Sequence, residues 1–229
     1  MIGVNKDKDK LELRVYGFIG DGWFADVNAN EMAYILDNMR DVKEIDIRIH
    51  SPGGSVAAGT AIYNALKNHK AKKNVYIEGE CCSIATVIAM AGDEIVMSPV
   101  ATFMIHDPLV SFIQGGAEDL RNKADTLDTI KKGIISAYKT KSKLSEEEIS
   151  NLMKKTTYFS AQEALDKGFI TKIEEVQVVN GFKPSYSFQN IPEGYFNIKN
   201  NKEENNMPDI KNITKEELKI QNRALFDEI

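Results

Sequence analysis

Residues 45–68, IDIRIHSPGGSVAAGTAIYNALKN, join two regular patterns across a pair of glycines. Isoleucines alternate with polar residues over 45–49, which is the pattern of a β-strand. The stretch SPGG at 51–54 predicts the end of that strand, because proline and glycine break regular pairing. Over 55–68 the apolar residues fall at helical spacing, which predicts a helix. A strand followed at once by a helix is the repeating unit of an α/β fold.

The same alternation continues on both sides of this segment. Strands are predicted at 11–16, 75–77, 95–97, 102–105 and 169–173, and helices at 29–39, 83–91 and 117–141. The helix over 83–91 is apolar on every side, which places it in the middle of a core. Two capping boxes, Ser145 with Glu148 and Ser160 with Glu163, predict two further short helices. This order predicts an α/β fold with parallel strands and right-handed crossovers.

Composition divides the chain into three parts. Residues 1–175 carry the strand and helix patterns and are predicted to form one domain, in which the polar first eleven residues are frayed. Asparagines and prolines mark 176–207 as a polar linker. A capping pair near the start of 208–229 predicts a short helix in a C-terminal tail.

Composition also limits the classes of function. The net charge is −5, with 29 Lys and Arg against 34 Asp and Glu, so the chain lacks the basic surface of a nucleic-acid binder. No apolar run approaches the roughly 18–20 residues that span a bilayer, so no membrane partner is expected. Cys81 and Cys82 are adjacent, and none of the three histidines lies at ligand spacing from a cysteine. This pattern predicts a reduced, cytoplasmic setting and no metal site.

Two short stretches contain residue types found in hydrolase sites. Ser83 stands between a strand pattern and the apolar helix, where its hydroxyl either caps the helix or acts as a nucleophile. In the second interpretation, the N–H group of Ile84 helps to stabilise an oxyanion. Gly53 and Gly54 form either a simple turn or a backbone segment that approaches a ligand closely.

A serine nucleophile needs a base, and His106 has the best position of the three histidines. It ends the predicted strand at 102–105, at a sheet edge where clefts form in α/β folds. His50 precedes a proline turn, and His69 lies at a polar helix end. An acid that orients the base is not evident, because Asp107 is the next residue on an extended chain and points away.

Four stretches, taken in order, resemble the Clp protease proteolytic subunit (ClpP) family. They are SPGGS at 51–55, Ser83 before the apolar helix, MIHDP at 104–108, and FSAQEA at 159–164 followed by Gly168. The stretches RVYGFIG at 14–20 and AMAGD at 89–93, with Gly79, are most similar to the phage and prophage branch, the head maturation proteases. The resemblance implies the ClpP/crotonase fold of stacked ββα units, with 117–141 as a projecting handle helix.

The resemblance also implies roles for individual residues. Ser83 corresponds to the nucleophile and His106 to the general base and acid. The backbone N–H groups of Gly54 and Ile84 correspond to the oxyanion hole, and Gly53 to the substrate groove. Peptide hydrolysis by these groups requires no cofactor.

The family's third catalytic residue, an aspartate, aligns with Thr156. A threonine hydroxyl can orient an imidazole but cannot offset its positive charge. Loss of the triad carboxylate lowers kcat about 10⁴-fold in the serine-protease template, so slow turnover is expected unless another acid, such as Asp107, takes the role. Two other functions stay open: a ring-forming assembly protein that has lost activity, and a crotonase-like enzyme acting on a CoA thioester.

Partners follow from the same resemblance. A homo-oligomeric ring is expected, either a heptamer or stacked rings, acting on protein or peptide substrates. The phage branch implies a capsid or scaffold protein as substrate, in the bacterial host cytoplasm or the procapsid. The charged start at Lys6–Lys10 gives no sign of the loops that bind a Clp ATPase, which favours ATP-independent action. The tail at 208–229 is interpreted either as a disordered segment with one helix or, from its similarity to the helical start of phage capsid or scaffold segments, as a segment that docks with such a partner or is cut from one.

Overall fold

A mixed sheet, parallel at its centre, forms the framework of the protein. A computed structural model describes residues 3–21 and 25–174. The predicted linker at 176–207 and tail at 208–229 lie outside these residues. In chain order the elements are β1 (Gly3–Asp7), β2 (Lys10–Gly20), β3 (Val27–Asn28), α1 (Ala29–Asn38), β4 (Glu44–Gly54), α2 (Val56–Asn68), β5 (Lys72–Cys82), α3 (Ile84–Ala89), β6 (Glu94–Met97), β7 (Thr102–Ile105), α4 (Ala117–Lys139), α5 (Glu146–Lys154), β8 (Thr157–Phe159), α6 (Ala161–Asp166) and β9 (Lys172–Ile173).

The strand order positions the candidate site. Within the described residues the sheet runs β1-β2-β4-β5-β6-β9, and the strands from β2 to β9 along this path are parallel to one another. β5 changes partner along its length: residues 74–77 pair with β6, and residues 80–82 pair in parallel with β7. The carboxyl ends of β5 and β7 therefore lie side by side. The predicted α/β fold with parallel strands is confirmed.

Alternation along β4 separates an apolar face of the sheet from a charged one. The three isoleucines of β4 are fully buried in the core. On the other face the guanidinium of Arg48 contacts two carboxylates, with its Nε 3.0 Å from Glu12 Oε2 and its other arm on Glu78. Arg14 also pairs with Glu12, at 2.9 Å. Glu12, Arg14, Arg48 and Glu78 together are called the charged sheet face below.

The prediction of a frayed N-terminus is wrong. Residues 3–7 form β1, which pairs antiparallel with residues 10–14 of β2. Lys8 has φ +48° in the two-residue turn, a conformation that suits the twist of a tight hairpin. The carbonyl of Asp9 accepts hydrogen bonds from the N–H groups of Lys43 and Glu44, at 2.7 and 3.2 Å. Backbone pairing at a sheet edge does not require apolar side chains, so a polar composition did not reveal this strand.

Two central strands also extend beyond their predicted ends. β4 continues through the SPGG stretch because Ser51 pairs with Cys81 and the two glycines pair with β2. The register of each ladder shifts near Pro52, which lets the strand pass a residue without an N–H group. β5 reaches Cys82, so Ser83 follows a strand directly.

An aromatic cluster connects β7 to the last elements of the domain. The ring centroids of Phe103 on β7 and Phe169 are 5.3 Å apart, and Phe159 on β8 lies 5.4 Å from Phe169. Tyr138 of α4 contacts the same Phe169 ring edge-on at 5.6 Å. β7 is therefore held by side chains that follow it far along the sequence.

The predicted long helix at 117–141 forms as α4. Its C-terminal part is packed, with Ile134, Ile135, Ala137 and Tyr138 buried. Residues 117–126 are all exposed. The helix is thus anchored at one end only. In the part of the chain that the structure describes, each helix is too short or too polar to cross a bilayer.

Candidate active site

Ser83 lies at the junction between β5 and α3 in an unusual backbone conformation. Its φ is +57° and its ψ is −129°, although it is not a glycine. Such a conformation costs about 1–3 kcal/mol and is found mainly where function requires it. Its N–H group donates to the carbonyl of Met104 on β7 at 2.8 Å. The side chain makes no capping bond to α3, which removes the alternative that Ser83 serves as a helix cap.

His106 follows β7 and faces Ser83. Its Nε2 lies 2.7 Å from Ser83 Oγ, within hydrogen-bond distance. The contact follows from the topology, since Cys82 on β5 pairs with Met104 on β7 and each strand ends just before its functional residue. With the neutral imidazole protonated on Nδ1, Nε2 accepts the hydroxyl proton, which is the arrangement of a nucleophile with its base.

Gly53 forms the floor beneath Ser83. It has φ +99°, and a Cβ atom there would lie 2.7 Å from Ser83 Cβ and 3.2 Å from Ser83 Oγ. Glycine is therefore required twice, for the backbone conformation and for the space. Gly54, the next residue, has φ +150° and lies against the main chain of Ile19. The predicted groove residue Gly53 is thus the glycine in contact with Ser83.

The N–H group of Ile84 is available at the start of α3. The first N–H groups of a helix have no partner within the helix. Among residues 3–21 and 25–174, the Ile84 N–H group has no recorded hydrogen-bond acceptor. It belongs to the peptide that follows the nucleophile, which is the usual source of one donor of an oxyanion hole.

Thr156 lies close to His106 in the sheet register but makes no recorded bond to its ring. Ile105 pairs with Thr157 across β7 and β8, so one further step places Thr156 opposite His106. Thr156 is exposed and has φ +51°, which is unfavourable for a β-branched residue. Over the described residues, the bond to Ser83 is the sole side-chain hydrogen bond recorded for the His106 ring.

Asp107 pairs with a lysine instead. Its Oδ1 lies 2.6 Å from Lys131 Nζ on α4, and its N–H group donates to the carbonyl of Met153 at 3.1 Å. The neighbouring acid is therefore used in holding α4 and α5 near the site.

The other two histidines have local partners. His50 Nδ1 accepts a hydrogen bond from the N–H group of Glu80 at 3.2 Å. His69 caps α2, and its Nδ1 accepts from the N–H group of Ala71 at 3.1 Å. His69 thus lies at a helix end, as predicted.

The two cysteines are both buried next to the nucleophile. Burial, with a smaller contribution from Glu80, raises the pKa of Cys82 to about 11. Burial also raises the pKa of Cys81 well above its ordinary value. Both groups therefore stay protonated at neutral pH. Among the described residues, no three His, Cys, Asp or Glu side chains cluster in a way that could hold a metal ion.

An apolar groove of about 660 Å³ lies between α2 and α4. It shares Val56, Val87 and Ile134 with the small cavity that contains Ser83 and His106. The reacting groups therefore lie at one end of a long apolar depression. The contribution of α4 to this groove was not evident from the sequence, because helical spacing does not show which part of α4 packs on α2.

Two residues near Ser83 were missed by the sequence analysis. Thr86 on α3 and Tyr138 on α4 are fully buried, and their hydroxyl oxygens lie 2.6 Å apart. Their only sequence signal is that each is a hydroxyl residue in an otherwise apolar stretch.

Comparison with known proteins agrees with this geometry. The family model described as Clp protease matches residues 18–177. The ATP-dependent Clp protease proteolytic subunit of Deinococcus radiodurans is 30% identical over 141 residues, covering 61% of this chain and 69% of that protein. The subunit of the same name from Lactococcus lactis is 29% identical over 171 residues, covering 73% and 84%.

A solved structure shows the same fold. A point mutant of ClpP1 from Listeria monocytogenes superposes with a TM-score of 0.63 at 23% identity, covering 72% of this chain and 92% of that one. The fold and the family expected from the resemblance are both confirmed. With its Ser–His pair at the joined ends of two parallel strands, the chain belongs to the Clp protease family, a family of peptidases.

Proposed function

We propose that this protein is a serine endopeptidase in which Ser83 is the nucleophile and His106 the general base. The observation that carries the proposal is the 2.7 Å contact between Ser83 Oγ and His106 Nε2. It is supported by the strained backbone of Ser83, which is typical of functional positions.

The reaction follows from the positions of these groups. His106 takes the proton of Ser83 Oγ as that oxygen attacks a peptide carbonyl. The N–H groups of Gly54 and Ile84 stabilise the oxyanion of the tetrahedral intermediate. His106 then protonates the leaving amine, and a water molecule activated by the same imidazole hydrolyses the acyl-enzyme.

Thr156 limits the rate in this proposal. Without a carboxylate near His106 Nδ1, the imidazolium that forms in the transition state lacks a negative partner. A specific observation therefore favours a second candidate, a ring protein without turnover: the described residues offer no recorded partner for Nδ1.

The substrate is a polypeptide that lies in the apolar groove. Val56, Val87 and Ile134 line both the groove and the small cavity at Ser83, so an apolar side chain can enter beside the reacting groups. The resemblance of residues 14–20 and 89–93 to the phage branch supports a capsid or scaffold protein as substrate. Incubation with the capsid and scaffold proteins of a prophage in the same genome, followed by mass spectrometry, tests this. Failure to cut either one would contradict the head-maturation role.

A homo-oligomeric ring is the assembly in which we expect this enzyme to act. ClpP-family proteins form oligomeric rings that act on proteins. The exposed residues 117–126 of α4, which include the half-exposed Leu120, provide a surface for a second copy.

Peptide hydrolysis proceeds without a Clp ATPase in this proposal. The polar, charged residues 6–10 at the start of the domain support this, because an ATPase-binding loop is not evident there. Stimulation of protein degradation by an added Clp ATPase and ATP would contradict ATP-independent action.

The test of the proposal is covalent labelling with a fluorophosphonate probe. Wild type is expected to be labelled, and Ser83→Ala and His106→Ala are expected to lose the label. Ser160→Ala is the matched control, because it removes a hydroxyl that caps α6. Absence of labelling in an assembled wild-type protein would reject the peptidase in favour of the inactive ring.

A further inference from the structure

A chain of two buried hydroxyl groups connects α4 to the nucleophile. Thr86 Oγ1 donates to the carbonyl oxygen of Ser83 at 2.5 Å and lies 2.6 Å from Tyr138 Oη. Thr86 and Tyr138 are 0% and 1% exposed. The carbonyl has no proton, so Thr86 must donate its single hydroxyl proton to Ser83. Tyr138 therefore donates to Thr86 Oγ1.

The bonded carbonyl belongs to the peptide that links Ser83 to Ile84. The described chain contains no cis peptide bond, so the carbonyl and N–H groups of this planar unit point in opposite directions. The N–H group of Thr86 also donates to the Ser83 carbonyl, at 3.0 Å. Two donors from Thr86 therefore hold the carbonyl edge of this peptide group. The Ile84 N–H group projects from the opposite edge.

This peptide needs such support because its neighbour is strained. Ser83 combines φ +57° with ψ −129°, and rotation of the Ser83–Ile84 peptide would bring ψ towards the less strained αL region. Rotation would also turn the Ile84 N–H group away from the reacting carbonyl. It would break both bonds from Thr86 and leave one buried hydroxyl proton of the Thr86–Tyr138 pair without an acceptor.

We propose that Thr86 and Tyr138 are positioning residues, which hold the Ser83–Ile84 peptide so that the Ile84 N–H group is directed at the oxyanion. Thr86 is fully buried behind the peptide, and Tyr138 borders the small cavity at Ser83 with only 1% of its surface exposed. The inference rests on the proposed function, since it assigns a role within the same reaction. Tyr138 lies near the anchored end of α4, so the placement of that helix bears directly on the oxyanion hole.

Isosteric variants separate this role from simple core packing. Thr86→Val keeps the shape and removes the hydroxyl, Thr86→Ser keeps the hydroxyl, and Tyr138→Phe removes only the second donor. Thr171→Val and Tyr34→Phe are the matched controls, because both residues are exposed and the Thr171 hydroxyl bonds the main chain of Ile95 at the sheet edge. All variants are studied as the full-length assembled protein, with kcat and KM measured on a fluorogenic peptide.

Affinity for a peptide aldehyde is the decisive readout. Its tetrahedral adduct with Ser83 places an oxygen in the oxyanion hole, whereas substrate affinity depends less on that site. Thr86→Val is expected to lower kcat about tenfold or more, less than the roughly 10²–10³-fold of a deleted donor, with little change in KM. The aldehyde affinity falls by the same factor as kcat/KM. Thr86→Ser stays within about threefold of wild type in both, because its hydroxyl is retained.

A double variant tests the order of the chain. Because Tyr138 acts through Thr86, Tyr138→Phe lowers kcat in the wild type but adds nothing in the Thr86→Val background. Wild-type kcat and aldehyde affinity in Thr86→Val would overturn the inference. So would an equal loss in Thr86→Ser, or a loss confined to KM and thermal stability. A wild type that neither cleaves peptide nor takes the fluorophosphonate label would instead reject the proposed function.

Discussion

Ser83 and His106 meet at 2.7 Å because each follows the last residue of one of two neighbouring parallel strands. β5 pairs with β7 through its last three residues, 80–82, after it has left β6. Backbone pairing therefore brings Ser83, the proposed nucleophile, to His106, the proposed base.

Replacement of Thr156 tests the missing acid. Thr156→Asp is expected to raise the fluorophosphonate labelling rate and kcat at least tenfold, since loss of the triad aspartate lowers kcat by about 10⁴ in the template case. Thr156→Asn is the control. Aspartate and asparagine both tolerate φ +51° better than threonine does, but only aspartate carries a negative charge. Equal rates for the two variants would show that the gain comes from backbone relief alone.

Gly53→Ala is expected to remove most activity. Its Cβ atom would lie 2.7 Å from Ser83 Cβ and from the Cys82 carbonyl, at φ +99°. A displacement of about 1 Å at a reacting group can lower the rate about 10²-fold. Peptide hydrolysis and thermal unfolding would be measured together. Gly133→Ala is the stability control, because a Cβ atom there meets nothing within 4 Å, and in a helix it stabilises by about 1 kcal/mol.

Cys82 is expected to be unreactive although it precedes the nucleophile. Burial raises its pKa to about 11, so the thiolate is scarce at pH 7.5. Iodoacetamide treatment of the folded protein should leave kcat unchanged and both cysteines unmodified by mass spectrometry. The same treatment in urea should modify both. Inactivation together with alkylation of Cys82 would show that this thiol is accessible and reactive in the folded protein.

Arg48→Met is expected to destabilise the protein by about 3–5 kcal/mol at pH 7, because it leaves Glu78 of the charged sheet face without its cation and removes one of the two arginines that pair with Glu12. Burial works to raise the pKa of Glu12, but hydrogen bonds from Arg48 and Arg14 outweigh it and leave that pKa below its ordinary value of 4.5. A lowered pKa stabilises the wild type above pH 4.5, and this contribution is lost as pH falls towards the pKa of the folded state.

The difference between Arg48→Met and wild type should therefore shrink between pH 7 and pH 4 in urea unfolding experiments. In the variant, Glu12 has lost its bond from Arg48, so protonation of Glu12 in acid removes part of the penalty. Arg40→Met is the control. Arg40 pairs with Asp37 at 2.7 Å, but both side chains are about 70% exposed, so its loss matters by less than about 1 kcal/mol at either pH.

Leu120→Asp tests the projecting half of α4. Leu120 is 45% exposed, and burial of a leucine contributes about 1.5–3 kcal/mol, so the change should weaken self-association at least tenfold. Light scattering after size exclusion would show smaller species with unchanged helix content. Asn122→Asp, which adds the same charge on another side of the helix, should keep the assembly. An unchanged molar mass for Leu120→Asp would exclude this residue from the interface.

Much of the fold was predictable because strand and helix periods differ. The isoleucines of β4 and the uniformly apolar α3 marked the core without ambiguity. β1 was not predictable, since its strand is held by backbone pairing and its composition is polar. The true end of β4 was also missed, because the ladder to β5 outweighs the break expected at Pro52.

The site was predictable only in part, because some of its residues follow recognisable strands and others lie within apolar segments. Ser83 and His106 each end a recognisable strand, so topology brings them together. Thr86 and Tyr138 are separated by 52 residues, and each lies in a segment that looks like ordinary core. Their contact depends on how α4 packs over α3, which periodicity does not determine.

The aromatic cluster behind β7 has a consequence for the time at which activity appears during synthesis. His106 leaves the ribosome well before Phe159 and Phe169, which pack on the strand that carries it. Until those residues emerge, β7 lacks both its antiparallel neighbour β8 and its aromatic support. The nascent chain therefore carries the serine and the histidine before they can act together. If the proposed function holds, a newly made subunit is expected to cut peptides only after nearly the whole domain has been translated.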